Sequence, residues 1–170
     1  MKRLVLVLFI FCGFCFAVYG TKISYVLKMP KPQNHYFQVE MRVEQIKEKS
    51  ALVKLPVWAT GSYLVREFPK NVNLVKAYTL NGAPLKVTKK TKNAWEITLN
   101  GQTSFVLNYE VYAFELSVRT CFLDETHGFV SGPGMFMYLD GHKEEGGELL
   151  VQPHASFKKI STGQIGRAHV

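Results

Sequence analysis

Apolar and polar residues alternate along most of this chain. From Phe37 to Glu44, Phe37, Val39, Met41 and Val43 alternate strictly with Gln38, Glu40, Arg42 and Glu44. Successive side chains of a strand point to opposite faces, so this run predicts a strand with one face on a core and the other in water. Ile23, Tyr25 and Leu27 repeat the pattern before it, and Leu52 to Val57 follow it. Trp95, Ile97 and Leu99 are apolar with Glu96 and Thr98 between them. Phe105, Leu107, Tyr109, Val111 and Ala113 line one face of a longer strand, while Val106 and Tyr112 share the other with Asn108 and Glu110. That strand is expected to be covered on both sides. Further strands are expected at 118–123, 127–131, 135–139 and 148–153.

Turn signals separate these runs. Asn81-Gly82 and Asn100-Gly101 each supply the two positive-φ positions of a type I′ hairpin. Gly132-Pro133-Gly134 and Gly146-Gly147 read as turns, since neither leads into a helical pattern. No stretch of ten or more residues carries helical spacing with caps. Glu44 to Leu52 comes nearest, and its Lys-Glu-Lys suits a polar hairpin loop better. The expected fold is all-β: an antiparallel β-sandwich of about ten short strands, without internal repeats or a low-complexity linker.

The two ends change the picture. Lys2 and Arg3 precede an uncharged apolar run from Leu4 to Val18, and small residues follow at Ala17 and Gly20. Residues 1–20 therefore read as a signal peptide. The run is 15 residues long, short of the roughly 20 that span a bilayer. Export to the periplasm or beyond is expected, with no membrane contact after cleavage. Ile165 to Val170, IGRAHV, resembles a translated sequencing adapter, so residues 164–170 are set aside as a non-native tail of a truncated reading frame. Residues 21–163 then form one domain, large enough to bury roughly 70% of its unfolded surface.

Cys12 and Cys15 leave with the leader. Cys121 is then alone, forms no internal disulfide and, set in VRTCFL, is expected to be a small buried apolar residue. The full chain carries a formal charge of +8; removing Lys2, Arg3 and Arg167 leaves 18 basic against 13 acidic residues, or +5. Lys86, Lys89, Lys90 and Lys92 cluster between two predicted strands, where such a run solvates a hairpin and blunts a sheet edge. Nucleic acid is not an expected partner of an exported chain.

The segment Pro56 to Val72, PVWATGSYLVREFPKNV, breaks the simple alternation. It predicts a strand ending at Trp58, a tight turn in which Gly61 takes φ > 0, and a second extended segment. Arg66 and Glu67 are adjacent in an otherwise apolar stretch; on a strand they point to opposite faces, so each needs its own partner.

These residues resemble the N-terminal domain of the glycyl-aminopeptidase family of metallopeptidases, family sixty-one of that class. Pro56, Trp58, Gly61, Ser62, Tyr63, Leu64, Val65, Arg66, Glu67 and Phe68 match the family's P-x-W, P-G-S-Y and L-[IV]-R-E-F pattern. Thr60 departs from it where the family has proline, which frees φ and softens the turn. The resemblance runs from about Ile23 to Ser161 and includes VRTCFLDETHGFVSG from Val118 to Gly132. It implies an N-terminal sandwich ahead of a thermolysin-like catalytic domain, with zinc, a peptide substrate and a preference for N-terminal glycine or alanine in the parent enzyme. The domain's own partner is then the absent catalytic domain.

Catalytic chemistry is not visible in this chain. A zinc peptidase of that kind needs H-E-x-x-H, which sets two imidazoles on one helix face with a glutamate to polarise water. His35, His127, His142 and His154 are more than ten residues apart where neighbouring, and none is followed by glutamate. No G-x-S-x-G elbow, phosphate loop or dinucleotide fingerprint occurs. No catalytic residue, metal ligand or cofactor is expected within the fragment itself.

Two regions remain as candidate substrate-cleft or interdomain surfaces: Gly61–Glu67, with Tyr63, Arg66 and Glu67, and the loop from Asp124 to Gly134. A peptide's positive N-terminus calls for a carboxylate, which Glu67 or Asp124 would offer. The competing reading pairs Arg66 and Glu67 within their own domain, where they fix the turn, and leaves Asp124, Glu125 and His127 as solvated loop residues. Two functions follow: a non-catalytic accessory domain of an exported zinc aminopeptidase, or a free-standing exported sandwich that binds carbohydrate or peptide.

Overall fold

The computed structural model describes residues 20–163; the expected leader up to residue 19 and the tail at 164–170 lie outside the described residues. Two facing sheets form the fold. In chain order the strands are β1 (Lys22–Lys28), β2 (Tyr36–Glu44), β3 (Ser50–Lys54), β4 (Val72–Tyr78), β5 (Pro84–Leu85), β6 (Val87–Thr91), β7 (Ala94–Thr98) and β8 (Ser104–Tyr112). There follow β9 (Phe122–Leu123), β10 (Gly128–Phe129), a single helical turn α1 (Gly132–Met135), β11 (Tyr138–Leu139) and β12 (Gly147–Gln152). One sheet runs β12-β1-β2-β8-β4-β5, the other β11-β3-β7-β6, and β9 and β10 make a small hairpin.

The alternation predicted for β2 and β8 sets their pairing. Phe37 lies opposite Val111, Val39 opposite Tyr109, Met41 opposite Leu107 and Val43 opposite Phe105, and all eight side chains are buried. Across the core, Val53 pairs with Trp95 and Ala51 with Ile97, again all buried. A slip of one residue in either pair would turn these side chains to water, so the pattern fixes the register. The lysine run, expected at a hairpin tip between two strands, is itself the edge strand β6: Lys90 pairs with Glu96 at 3.0 Å and Lys89 lies over the Trp95 ring.

Tyr109 fastens the core. Its hydroxyl, fully enclosed, donates to the Met135 carbonyl at 3.0 Å and accepts from the Met137 N–H at 3.0 Å. Tyr25 donates to the Met137 carbonyl at 2.7 Å, and its burial pushes its phenol up to about 12. The segment from α1 to β11 crosses between the sheets with its backbone polar groups paired to these two tyrosines. Cys121 is buried as expected, and burial pushes its thiol up to about 11.

Several expectations are corrected. The sandwich is not wholly antiparallel, because β12 returns to the edge of the larger sheet parallel to β1. β8 is not covered on both faces: Asn108 and Tyr112 are exposed, since only one side of its sheet meets the other sheet. β3 stops at Lys54 instead of reaching Trp58. Leu55 still donates to the Asn93 carbonyl at 2.9 Å, but Pro56 has no N–H to continue the ladder. The extended segment expected after the Gly61 turn is an irregular loop leading to a 3₁₀ turn, Phe68–Asn71.

β4 escaped the alternation because a bulge between Asn73 and Lys76 breaks its register, with Leu74 at φ 52°. Residues 118–120 are a turn, in which Thr120 donates to the Glu115 carbonyl at 2.6 Å; the expected strand shrinks to Phe122–Leu123. The strands expected at 127–131 and 135–139 reduce to Gly128–Phe129 and Tyr138–Leu139. Gly132-Pro133-Gly134, read as a plain turn, opens α1, with proline in the first turn where its missing N–H costs nothing.

The two Asn-Gly pairs differ. Asn100 and Gly101 both take positive φ, at 51° and 81°, as type I′ requires, yet they join strands of different sheets. At Asn81-Gly82 only the glycine is positive. Gly82 donates to the Thr79 carbonyl and Thr79 to that of Ala83, a type I turn closed by a glycine bulge.

Replacing Tyr109 by phenylalanine leaves the Met137 N–H and Met135 carbonyl buried without their partner. The expected loss is about 1–3 kcal/mol, read as a lower midpoint with unchanged slope in urea denaturation.

Candidate functional site

The strand ends sort the loops into two groups. Tyr36 pairs with Tyr112, Val72 with Val111, and Lys54 with both Ala94 and Tyr138. The loops at 29–35, 55–71 and 113–121, together with the β9–β10 hairpin and α1, therefore gather at one end of the sandwich. Phe68, at the close of the second loop, lies against Gly134 of α1, beside Cys121.

Within the 55–71 loop, Ser62 is the organising residue. Tyrosines aside, it is the one buried polar side chain among the described residues. Its N–H donates to the Ala59 carbonyl at 3.0 Å, and the Arg66 N–H closes the loop on the Val57 carbonyl at 2.6 Å. The Trp58 indole donates to the Ser62 carbonyl at 2.6 Å. The Ser62 hydroxyl donates to the Leu64 carbonyl at 3.2 Å and accepts from Arg66 Nε at 3.3 Å. Gly61 takes φ 79°, as the turn requires.

With Ser62 held inward, the residues after it face out. Tyr63 is 104% exposed and Val65 76%, with Leu64 also exposed. Leu116 and Val118, from the 113–121 loop, are 75% and 82% exposed, and Trp58, Phe114 and Phe129 are exposed as well. Eight large apolar residues from neighbouring loops thus stand in water at one end, which marks a surface built for contact.

The four candidate residues separate. Tyr63 lies at the crest of the apolar loop. Arg66 is half-buried and bonded to Ser62. Glu67 forms an exposed ion pair with Lys92 at 3.1 Å. The stretch around them, apolar in sequence, is therefore not an apolar interior. Asp124 serves its own turn: it accepts from Thr126 Oγ1 at 2.6 Å, Thr126 N at 2.8 Å and His127 N at 2.9 Å. The Thr126 hydroxyl and then the His127 N–H hold its carboxyl down at about 2. Its stabilising contribution is complete above the ordinary value of 3.8 and is lost as pH falls through about 2. The structure brings Tyr63, Arg66 and Glu67 into one loop and does not join Asp124 to them.

Sequence reasoning included Ser62 in the Gly61–Glu67 region without giving it a role, and did not single out the 114–118 loop. The signal for Ser62 was its place in the Gly-Ser-Tyr turn; Phe114, Leu116 and Val118 alternate with Glu115, Ser117 and Arg119, a strand-like pattern that gives no sign of an exposed loop. The residues do not fit a zinc site. His35 Nδ1 is bonded to the Leu123 carbonyl, His127 Nδ1 to Thr126, His154 Nδ1 to Ser156, and both His142 nitrogens to glutamates. Among the described residues no group of three or more histidines, cysteines and carboxylates is arranged to hold a metal ion.

The fold and this loop end define an all-β sandwich domain with a cluster of exposed apolar side chains at one end. The family model described as the peptidase M61 N-terminal domain matches residues 24–166, and the chain belongs to that family. It is similar to a solved structure of an aminopeptidase N family protein from Idiomarina loihiensis, at 30% sequence identity and a TM-score of 0.73. The likeness covers 78% of this chain and 22% of that one, so the chain spans less than a quarter of that protein's length. Comparison with curated proteins gives no match.

Replacing Ser62 by alanine removes the hydroxyl that links Leu64 and Arg66. The expected result is a loss of about 1 kcal/mol and a red-shifted Trp58 fluorescence as its loop opens. An unshifted emission would contradict this role for Ser62.

Proposed function

We propose that this chain is the non-catalytic N-terminal domain of an exported zinc aminopeptidase, and that its apolar loop end seats against the catalytic domain of the same polypeptide. One observation carries the reading: Trp58, Tyr63, Leu64, Val65, Phe114, Leu116, Val118 and Phe129 are exposed at one end of a domain whose family is that of M61 peptidase N-terminal domains. Burying such side chains against a partner is favourable by roughly 25 cal/mol per Å² of apolar surface. Zinc, the reacting peptide and the preference for N-terminal glycine or alanine belong to the catalytic domain. Tyr63, fully exposed on this loop, and Arg66 beside it are the residues offered to border its cleft.

The rings at this end do not favour a carbohydrate platform. His35 and Phe114 have centroids 3.8 Å apart, Phe114 and Phe122 5.4 Å, and Phe122 and His127 5.0 Å. These four rings lie against one another and so cover faces a sugar would need, which leaves Trp58, Tyr63 and Phe129 as the exposed rings without such a neighbour among the described residues at this end.

The isolated chain is expected to bind no stoichiometric zinc and to cleave no glycyl substrate, whereas the full-length protein does both. Zinc analysis and a glycyl-peptide assay on both forms check this, and activity in the fragment alone would overturn it. Serine at Tyr63, Leu64 and Val65 is expected to change the isolated domain's stability by less than about 0.5 kcal/mol per site. In the full-length protein the same changes should split one cooperative thermal transition into two.

A further inference from the structure

At the opposite end of the sandwich, the loop between β2 and β3 meets the loop between β11 and β12 through a single imidazole. His142 Nδ1 lies 2.9 Å from Glu145 Oε1 and its Nε2 lies 3.2 Å from Glu48 Oε1. The His142 side chain is only 16% exposed. Glu145 belongs to the same loop as His142, whereas Glu48 comes from the other, so the pair of bonds spans two separate segments.

A neutral imidazole has one N–H and one lone pair. Placed between two carboxylates, it can donate to one and must turn its lone pair on the other. Only the doubly protonated ring satisfies both contacts. The second Glu145 oxygen is buried without a hydrogen-bond partner, so the histidine is the contact that holds that carboxylate.

We infer that His142 is a pH-responsive clasp, closed while the ring carries two protons, which fastens the β11–β12 loop, and with it the edge strand β12, to the β2–β3 loop. β12 follows five residues after His142 and is held on one side only, by β1. Its Leu149 and Leu150 are exposed; besides backbone pairing, the partly buried Val151 against the core, an exposed Lys22–Glu148 pair and this loop hold it in place.

The charges around the ring fit the inference. Glu145 and Glu48 raise the His142 pKa above its ordinary 6.5, and the Glu48 carboxyl is lowered by the backbone at its own position and by His142. Nearby, Asp140 is bonded to Lys54 at 2.7 Å and Lys143 lies over the Tyr138 ring. Lys47, Lys49 and Glu144 flank the two loops without contacting the imidazole. The sign follows from the directions. The contribution of a raised histidine is complete below its unfolded value and is lost as pH rises through its folded value. That of the lowered Glu48 is lost only as pH falls through its depressed value. The clasp is therefore closed in a window between the two and released on the alkaline side by His142.

Hydrogen–deuterium exchange on the whole chain, corrected for intrinsic rates and followed across pH, tests this. The amides of residues 141–152 should be protected within that window. Above the histidine's folded pKa they should exchange up to about tenfold faster for each unit separating its closed- and open-state values. The Thr79–Ala83 turn at the same end should show no such change. Glu48→Gln, at an exposed position, should move the release to lower pH, and His142→Gln should abolish the pH dependence. A His142→Gln profile that matches the parent, or a Glu48→Gln profile that does not shift, would overturn the clasp.

Discussion

The Tyr109 hydroxyl is the contact on which the rest of this structure rests. A sandwich needs its two sheets joined where the chain crosses between them, and the crossing segment brings backbone polar groups into an apolar interior. Those groups must find partners there or cost the domain much of its marginal stability. Tyr109, central in β8, meets both demands by donating to Met135 and accepting from Met137. With that crossing fixed, α1 is set against Phe68 and β11 against β3. The positions of the loops at that end follow from it.

The two ends of the sandwich then have different characters. One is closed by short turns and by the polar contacts of His142, Glu48 and Glu145. The other carries long loops whose backbones are internally bonded, around Ser62 and Ser117, while their large apolar side chains face water. A loop whose backbone is bonded to itself and whose outside is apolar is organised before it meets a partner. Ordering costs little at the moment of contact, which is the condition for a firm interface. The motif that carries the family resemblance is thus explained as architecture: Gly61 and Ser62 shape the loop, and Tyr63, Leu64 and Val65 are what it presents.

The sequence made the all-β class, the inward faces of β2 and β8, the edge-blunting lysines and the buried Cys121 legible, because each depends on alternation or composition alone. Family membership was legible from the ten matching residues between Pro56 and Phe68. What stayed hidden depends on contacts distant in sequence. β4 was obscured by its bulge at Leu74, and the parallel return of β12 leaves no local mark. The open outer face of β8 is a matter of which neighbours cover it, which Val106 and Tyr112 do not reveal. The apolar run around Arg66 suggested an interior; its exposure depends on Ser62 turning inward. Asp124 was singled out for its charge, but three hydrogen bonds from its own turn determine its role.

The account's central claim is that the apolar loops face the remainder of the polypeptide. Hydrogen–deuterium exchange compared between the isolated domain and the full-length protein tests it directly. The account predicts added protection at residues 58–65 and 114–118 in the full-length protein, with none at the Leu99–Gln102 turn. Equal exchange at those loops in both forms would contradict it.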